Sequence, residues 1–243
     1  MKFWIVGTDT DVGKTTVSAW ICFHTKCHYW KPVQTGCQIT IDNGSKNSID
    51  TKVRESSVFQ ALKDYIASDV AADANFHIEG SDSYTVSTLS GTMIHPESYV
   101  FRAPLSPHIA GPMDGKEVLT SNIKIPNIDN LLIEAAGGLM VPMNEDTMYV
   151  DFIKKTGLPV ILVSRPTLGT INHTCLSIEA LRRRDIELLG VIISGQKNAE
   201  NAKSIEQYGN VKILAELDKM PTIDRENISN SPFPDELKNM LCN

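Results

Sequence analysis

Short apolar runs alternate with longer stretches of helical periodicity along most of the chain. Runs such as NLLIEAA, PVILVS and LLGVIIS are almost continuously apolar, which is typical of strands buried on both faces of a sheet. The pattern predicts strands at residues 2–6, 28–33, 130–135, 159–164, 188–193 and 211–217. It predicts helices at residues 14–25, 147–155, 173–183 and 199–208. This alternation indicates βα units, so we expect an α/β fold with a mostly parallel central sheet flanked by helices.

Residues 51–96 fit this alternation poorly. The stretch FQALKDYIASDVAADANF has a helical pattern, whereas EGSDSYTVSTLSGT is rich in Ser, Thr and Gly and predicts a loop or short edge strands. The chain contains no internal repeat, no low-complexity tract and no clear domain boundary. We therefore expect residues 1–243 to form a single domain.

The composition narrows the class of protein. Of the 243 residues, 42% are hydrophobic and 21% are charged, as in a globular protein with a full core. The formal net charge of -6 argues against nucleic acid or an anionic membrane as a partner, because both attract basic surfaces. No apolar run reaches the length of a membrane span, and the N-terminus MKFWIVGTD becomes polar too early for a signal peptide. A cytoplasmic location is therefore expected.

The cysteines raise the question of a metal site. The chain has 5 of them and no C-x-x-C pair, which favours reduced thiols. Cys22, His24, Cys27 and His28 lie close together in the sequence, so a zinc site is the alternative. However, Cys22 and His24 are two positions apart in a predicted helix and point to different faces. The paired ligand spacing of zinc sites is also absent, and the sequence favours a chain without zinc.

The stretch GTDTDVGKTT, residues 7–16, follows the first apolar run and has the context of a phosphate-binding loop. A strand, a glycine-containing turn and Gly13-Lys14-Thr15 at a helix start are all present, although Gly7 stands one place earlier than the common spacing requires. Backbone N–H groups and the helix dipole would hold phosphates. Lys14 would reach the β- and γ-phosphates, and the Thr15 hydroxyl would bind Mg²⁺. The alternative is a chance helix start with a lysine in its first turn.

Two aspartates, Asp9 and Asp11, lie in this loop. A carboxylate beside a triphosphate is unfavourable unless a cation lies between them or the carboxylate faces a cationic ligand. The loop therefore suggests a second ligand that carries amines. For Asp9, an equally good interpretation is exposure to solvent or capping of a turn through nearby N–H groups.

Two further motifs follow predicted strands. In YWKPVQTG, Lys31 ends a strand beside the phosphate loop, where an ammonium can neutralise charge on a transferring phosphoryl group, although a strand-end lysine alone is usually just solvated. In NLLIEAAGGLMVP, Glu134 follows buried apolar residues, where an unpaired carboxylate would be costly. An acidic strand end of this kind supports Mg²⁺ in nucleotide hydrolases. Pairing with a structural lysine is the alternative.

The motif LGTINHTCL leads from a glycine turn into a helix with Asn172 near its start. The free N–H groups of a helix N-terminus can bind an anion such as a carboxylate. On local sequence alone, an asparagine that caps the helix is the favoured interpretation.

Taken together, these motifs resemble those of the dethiobiotin synthase family. The family pattern is found here as GTDTDVGKTT, KPVQTG, NSID, RAPLSPHIA, IEAAGGLMVP and LGTINH, in the family's order from about Phe3 to Leu217. Residues 51–96 have no clear counterpart. In this family the first glycine of the loop stands one place early, so Gly7 follows the family pattern. The resemblance implies the three-layer fold of the P-loop (phosphate-loop) NTPases.

The resemblance implies an ATP- and Mg²⁺-dependent reaction of 7,8-diaminononanoate with CO₂ that gives dethiobiotin, ADP and phosphate. Lys31 and Lys14 match catalytic lysines, and Thr15, Asp50 and Glu134 match Mg²⁺ ligands. Nucleotide contacts are expected from Asp11, Val12, Gly13, Lys14, Thr15, Thr16, Asp50, Glu134, Ala135, Ala136, Gly137, Ser194 and Gly195. Substrate contacts are expected from Asp11, Lys31 and Thr35 and, across a homodimer, from Gly169, Thr170, Ile171 and Asn172. The diamine would supply the cationic partner of the loop aspartates.

The chain departs from the family pattern at three places. EAAGG replaces EGAGG, an exchange of small residues that we expect to be tolerated. Ser194 stands where the family usually has an asparagine that reads adenine, and Asp218 stands where a proline helps to form the base pocket. The last two changes concern the nucleobase and leave the reacting groups in place.

Two other classes of protein share the phosphate loop. A glutamine-fed amide ligase of cofactor synthesis would need a glutaminase region, for which no chain length remains. A partitioning-type ATPase switch would carry an extra lysine between Gly7 and Gly13 and a basic or amphipathic anchor, and the chain has neither. The sequence favours the dethiobiotin synthase reaction.

Overall fold

The computed structural model describes residues 1–42 and 75–242. The strands are β1 (Lys2–Gly7), β2 (His28–Trp30), β3 (Val33–Gln34), β4 (Gln38–Asp42), β5 (Asn75–Glu79), β6 (Ile94–His95), β7 (Tyr99–Val100), β8 (Leu131–Gly138), β9 (Val160–Ser164), β10 (Leu188–Ser194) and β11 (Ile213–Leu217). The helices are α1 (Lys14–Thr25), α2 (Asp82–Ser90), α3 (Pro107–Met113), α4 (Tyr149–Thr156), α5 (Thr170–Arg182), α6 (Ala199–Gly209), α7 (Arg225–Asn230) and α8 (Asp235–Cys242). A short 3₁₀ turn spans Thr120–Asn122.

The central sheet has seven strands in the order β11-β10-β9-β1-β8-β2-β6. All its neighbouring strands are parallel. Two smaller sheets join β3 to β7 in parallel and β4 to β5 in antiparallel orientation. The expected α/β fold with a mostly parallel sheet is confirmed.

Alternation along the strands divides the core into two halves. On β1, Phe3 and Ile5 belong to one buried cluster, and Trp4 and Val6 belong to the other. The first half is covered by α1, α2, α7 and α8, and the second half by α3, α4, α5 and α6. Because both faces of the sheet are covered, its strands are continuously apolar, and the result is a three-layer α/β architecture.

The predicted strand at 28–33 is interrupted. β2 ends at Trp30, and β3 belongs to a separate sheet. Pro32 lies between them and has no N–H group to donate, so it cannot continue the ladder. Its carbonyl accepts instead from the N–H groups of Ser98 and Tyr99, at 2.9 and 3.1 Å. This break turns the chain away from the sheet directly after Lys31.

The prediction of a loop or edge strands over EGSDSYTVSTLSGT was wrong, because residues 82–90 form helix α2. The Ser81 side chain accepts from the Tyr84 N–H at 3.1 Å and caps the helix start. Gly91 closes the helix in the left-handed conformation, with φ of 70°. Val86 and Leu89 are buried in the core half that contains α1. Capping and burial together outweigh the weak helix preference of serine and threonine.

The other predicted elements are present and differ from the predictions only at their ends, whereas strands β4, β6 and β7 and helices α3, α7 and α8 had no predicted counterpart. Helix α5 begins at Thr170 rather than at residue 173, directly after Gly169. The stretch with the helical pattern before residue 75 lies outside the described residues. Within the described part of the chain, no helix is both long and apolar enough to cross a bilayer.

Candidate active site

The phosphate loop connects β1 to α1 at the carboxyl edge of the sheet, where ligands bind in open α/β folds. Gly13 directly precedes the helix in the left-handed conformation, with φ of 92°. A Cβ atom at this position would lie 2.4 Å from the Ser194 hydroxyl oxygen, so the position requires glycine on both grounds. No side chain caps α1, which leaves the N–H groups of its first turn available to an anion.

Lys14 is the first residue of α1, and its buried side chain turns back over the loop. Its Nζ atom donates to the backbone carbonyl of Asp9 at 2.9 Å. Burial lowers the pKa of Lys14 to about 8, although the nearby Glu134 carboxylate acts in the opposite direction. An anion placed beside this ammonium would favour its charged form.

The two loop aspartates have different surroundings. Asp9 accepts from the N–H group of Thr10 at 2.8 Å and lies 3.8 Å from Arg165, so its carboxylate caps the turn. Asp11 is exposed and adopts a left-handed conformation, with φ of 56°. It is one of the residues that line the main cleft. Asp11 therefore remains the candidate for contact with a cationic group.

Glu134 is the centre of the buried polar cluster at the base of this cleft. It lies on β8, is fully buried and accepts from four side chains. Its Oε1 atom accepts from Thr15 at 3.1 Å and from Lys31 at 3.2 Å. Its Oε2 atom accepts from Ser18 at 2.7 Å and from Tyr29 at 3.1 Å. This number of donors satisfies a carboxylate that would otherwise be very costly to bury.

Asp82 supplies a second carboxylate that the sequence reasoning missed. Its Oδ1 atom accepts from the Thr15 hydroxyl at 2.7 Å, and its Oδ2 atom pairs with the Lys31 ammonium. Burial would raise the pKa of Asp82, but the Lys31 ammonium holds that pKa below its usual value. The backbone N–H of Asp82 donates to the Gln34 side chain at 3.2 Å, which ties the start of α2 to β3. The predicted metal ligand Asp50 lies outside the described residues.

A sequence signal for Asp82 did exist. Ser81-Asp82 is a helix-start pair, with a capping serine and an acid in the first turn, four residues before the buried Val86. Because the surrounding Ser, Thr and Gly residues suggested a loop, no helix was predicted there and this carboxylate had no expected place.

Lys31 links the two carboxylates. It follows β2 at the break made by Pro32, and its buried ammonium pairs with both Asp82 and Glu134. Burial alone would lower the pKa of Lys31, but these two carboxylates outweigh it and hold the pKa above the usual lysine value. Lys31 is therefore a fixed positive charge throughout the neutral pH range.

The donor set of this cluster fits Mg²⁺. Oxygen atoms of Thr15, Asp82 and Glu134 converge, with both carboxylates within 3.1 Å of the Thr15 hydroxyl. Mg²⁺ prefers oxygen ligands and usually takes one or two carboxylates together with phosphate oxygens and water. Among the described residues, no group of three or more His, Cys, Asp or Glu side chains comes together. The cysteines considered for zinc, Cys22 and Cys27, form a buried thiol pair with their sulfur atoms 3.5 Å apart.

The main cleft has a volume of about 880 Å³ and contains most of the predicted site. Its walls include Asp11, Gly13, Lys14, Thr15, Thr16, Lys31, Thr35, Asp82, Glu134, Ala136 and Gly137. The side chains of two further residues predicted to contact the nucleotide, Val12 and Ala135, pack into opposite halves of the core. The cleft extends past Pro104–Pro107 on one side and Ile223 on the other.

Ser194, Gly195 and Asp218 are the residues that the resemblance places on the nucleobase side of the site. Ser194 ends β10 against Gly13. The N–H group of Gly195 donates to the Leu217 carbonyl at 2.9 Å and is therefore already engaged. Asp218 is exposed, and its carboxylate accepts from the N–H group of Lys219 at 2.8 Å.

Residues 169–172 are not part of the main cleft. Gly169 caps α5 in the left-handed conformation, with φ of 91° and no side-chain cap. The interpretation of Asn172 as the helix cap was wrong, since Asn172 is the third residue of the helix and is exposed. Beside α5 lies a second cavity of about 430 Å³, between residues 8–10 and 138–141 of the loops and His173, Leu176, Ser177 and Ala180 of the helix.

Sequence comparisons match this chain over nearly its whole length. A family described as AAA domain matches residues 2–227. The ATP-dependent dethiobiotin synthetase BioD of Lawsonia intracellularis is 38% identical over 99% of each chain. The enzyme of the same name from Paramagnetospirillum magneticum is 38% identical over 95% of this chain and 94% of its own. The bifunctional protein BioCD of Bordetella avium is 34% identical over 91% of this chain, which corresponds to 40% of that longer protein.

Solved structures match the fold at much lower identity. A ParA family ATPase from Chlorobium tepidum has a TM-score of 0.50 and 11% identity, covering 94% of this chain and 88% of its own. The cell division ATPase MinD of Pyrococcus furiosus has a TM-score of 0.50 and 15% identity, covering 94% and 87%. At such identities the likeness shows the fold alone, which is that of P-loop ATPases.

Proposed function

The chain belongs to the family of ATP-dependent dethiobiotin synthetases, which are ATP-dependent ligases of biotin biosynthesis, and we propose that it acts on 7,8-diaminononanoate. In the proposed reaction, CO₂ is incorporated to close the ureido ring, and the products are dethiobiotin, ADP and phosphate. The observation that carries this proposal is the buried contact of Lys31 with Asp82 and Glu134 beside the phosphate loop. We place the reaction in the cytoplasm, where ATP is available.

Nucleotide phosphates would lie against the free N–H groups at the start of α1, with Lys14 as their lysine. The Thr15 hydroxyl and the Asp82 and Glu134 carboxylates would hold Mg²⁺, which would neutralise charge on the phosphate oxygens. Burial lowers the pKa of Lys14 and so disfavours its charged form. A bound phosphate would stabilise the Lys14 ammonium and raise this pKa again.

Lys31 would act on the reacting groups. One substrate amine attacks CO₂ and loses a proton, which gives a carbamate. A carbamate oxygen then attacks the γ-phosphorus of ATP, and ADP leaves. The second amine attacks the carbonyl carbon of this mixed anhydride and loses a proton, which the departing phosphate can take up, and the ring closes. Both later steps develop negative charge on oxygen, and a fixed ammonium stabilises that charge more in the transition state than in the ground state.

The diamine end of the substrate would lie in the main cleft beside the phosphate loop. Asp11 presents an exposed carboxylate there, and Thr35 adds a hydroxyl on the side of Lys31. Opposite charge on Asp11 and the protonated amine favours binding before a proton is lost.

We further propose a homodimer in which the two subunits share each active site. The support is an exposed apolar surface formed by Met140, Leu168 and Leu176 around the second cavity and the start of α5. Exposed patches of this kind mark protein interfaces. In a dimer, residues 169–172 of one subunit would offer helix N–H groups to the substrate carboxylate bound by the other subunit.

Mixing two inactive variants tests the shared site. Lys14→Ala removes the phosphate contact and Asn172→Asp repels the substrate carboxylate, so hybrid dimers of the two retain one intact site and should recover part of the activity. Sedimentation should show a dimer. An active protein that sediments strictly as a monomer would contradict the shared site.

The reaction itself is tested by phosphate release from ATP with bicarbonate present. We expect release that depends on 7,8-diaminononanoate, and that is abolished in Lys14→Ala. ATP hydrolysis at the same rate with and without the diamine would point instead to a P-loop ATPase switch and would refute the proposal.

A further inference from the structure

The two oxygens of the Glu134 carboxylate face different environments. Oε1 faces the cleft and contacts Thr15 and Lys31, which the proposed function places next to Mg²⁺ and the phosphates. Oε2 faces the core half under α1, where it accepts from Ser18 at 2.7 Å and from Tyr29 at 3.1 Å. Neither Ser18 nor Tyr29 lines the main cleft, and both are completely buried.

The fold brings each of these donors to Oε2 by simple periodicity. Ser18 follows Thr15 by three residues on α1, so the two hydroxyls lie one above the other on the same helix face. Tyr29 on β2 is directly opposite Leu132 on β8, and both belong to the core half that lies under α1. Glu134 is two residues beyond Leu132 and therefore points to the same face, as a diagonal neighbour within reach of an aromatic side chain.

The torsion that orients a glutamate carboxylate has only a broad, two-fold preference, so the side chain does not fix its own plane. Two donors on one oxygen do fix it. Mg²⁺ demands nearly ideal octahedral geometry, and a carboxylate held with one oxygen toward the ion meets that demand without reorganisation.

We propose that Ser18 and Tyr29 are positioning residues that hold the Glu134 carboxylate with Oε1 alone toward the metal and nucleotide. This inference rests on the proposed function, since it assigns Mg²⁺ to Thr15, Asp82 and Glu134. A purely structural role, in which the two hydroxyls only satisfy a buried carboxylate, is the competing explanation.

A loss of thermal stability cannot separate the two roles, because both predict it. Metal binding can, because only the positioning role predicts weaker binding of the ion. The variants are Ser18→Ala, Tyr29→Phe and the double variant. Matched controls are Ser90→Ala, which removes a buried hydroxyl bonded to the Val86 carbonyl, and Tyr99→Phe, which removes a phenol bonded to Leu119. Mn²⁺ binding would be followed by electron paramagnetic resonance with a non-hydrolysable ATP analogue present. Binding of the analogue in EDTA would be measured separately.

We expect each single variant to bind Mn²⁺ about 10–100-fold more weakly than the parent, as is typical when a group that orients a metal ligand is removed. The controls should bind Mn²⁺ as the parent does, and affinity for the analogue in EDTA should be unchanged in all variants. Parent-like Mn²⁺ affinity in both Ser18→Ala and Tyr29→Phe, with stability alone reduced, would overturn the inference and leave the proposed function standing. If the parent binds the analogue but no Mn²⁺ is detected in that complex when the ion is supplied, the metal assignment is overturned and this inference with it.

Discussion

Replacement of Lys31 by glutamine removes the positive charge between Asp82 and Glu134 and should affect stability and catalysis separately. Lys31 is buried and pairs with both carboxylates. Removal of one partner of a buried ion pair typically costs about 3–5 kcal/mol of unfolding free energy, because the remaining charge stays buried without its partner. For a chain of this size, each kcal/mol lowers the melting temperature by about 2–4 °C. We therefore expect a fall of about 6–20 °C at neutral pH.

The kinetic effect has a different origin. The fixed ammonium stabilises the charge that develops during phosphoryl transfer, and loss of one such group typically lowers kcat by about 10²–10³-fold. The KM for ATP should change much less, since Lys14 and the start of α1 still hold the phosphates. The two carboxylates hold the pKa of Lys31 above the ordinary lysine value of 10.5. Lys31 therefore stays charged from neutral pH up to that value, and its titration should cause no fall in the activity of the parent over this range.

The assay compares Lys31→Gln with Lys154→Gln, a control in which the exposed ammonium donates to the Asp185 carbonyl. Thermal unfolding and phosphate release would be measured on both, at a temperature where each is folded. A Lys31→Gln enzyme with parent kcat and a raised KM for ATP would refute the catalytic role of Lys31 and make it a binding residue.

Three further predictions concern neighbouring groups. Nucleotide binding near pH 8.5 should take up protons, because burial lowers the pKa of Lys14 to about 8 and a bound phosphate would raise it. Calorimetry in buffers of different ionisation enthalpy should show this uptake in the parent and none in Lys14→Met. Equal uptake in both proteins would contradict the assignment of Lys14 to the phosphates. Asp82→Asn keeps the acceptor for Thr15 but replaces the charged oxygen that faces Lys31 by an amide donor. Because a charged metal ligand is lost, the activity at saturating ATP should require a higher Mg²⁺ concentration. An unchanged dependence of activity on Mg²⁺ would exclude Asp82 as a ligand. Since Ser194 and Asp218 lack the paired amide contacts that read adenine, kcat/KM for ATP should exceed that for GTP or CTP by less than about a hundredfold, and a larger preference would show that other groups read the base.

The lowered pKa of Lys14 also makes the free energy of unfolding depend on pH. Its pKa in the folded chain is lowered to about 8, whereas an unfolded lysine titrates near its ordinary value. Between these two pH values the unfolded state binds more protons than the folded state, so this group makes the free energy of unfolding rise with pH. The cost of the buried charge is present in full below about pH 8 and is removed as the pH rises through the interval.

Much of the fold followed from local sequence. Strands such as β8 and β9 are continuously apolar because helices cover both faces of the sheet, and helix α1 begins and ends where its glycine and its periodicity predict. Predictions failed where a single residue or a cap decided the outcome. Pro32 divides the predicted strand at 28–33, and Ser81 together with Gly91 closes a helix over residues whose intrinsic preference is for loops.

The candidate site divides in the same way. Lys14, Thr15, Lys31 and Glu134 were found because each belongs to a motif that ends or directly follows an apolar run, which a linear pattern can locate. Asp82 was missed since its contact with Thr15 joins residues that are 67 positions apart in sequence. Ser18 and Tyr29 gave no signal at all, because a hydroxyl in a helix and a tyrosine in a strand are ordinary core residues until Glu134 is placed between them.

The reaction proposed for this chain builds a ureido ring from a diamine and CO₂ at the expense of ATP. Incubation with ¹³C-bicarbonate, ATP, Mg²⁺ and 7,8-diaminononanoate, followed by mass spectrometry, tests it most directly. We expect dethiobiotin with one ¹³C atom in its ureido carbonyl, formed in equal amount to the phosphate released, and at least about a hundredfold less of it from Lys31→Gln over the same period. Release of phosphate without labelled dethiobiotin would contradict the proposed reaction.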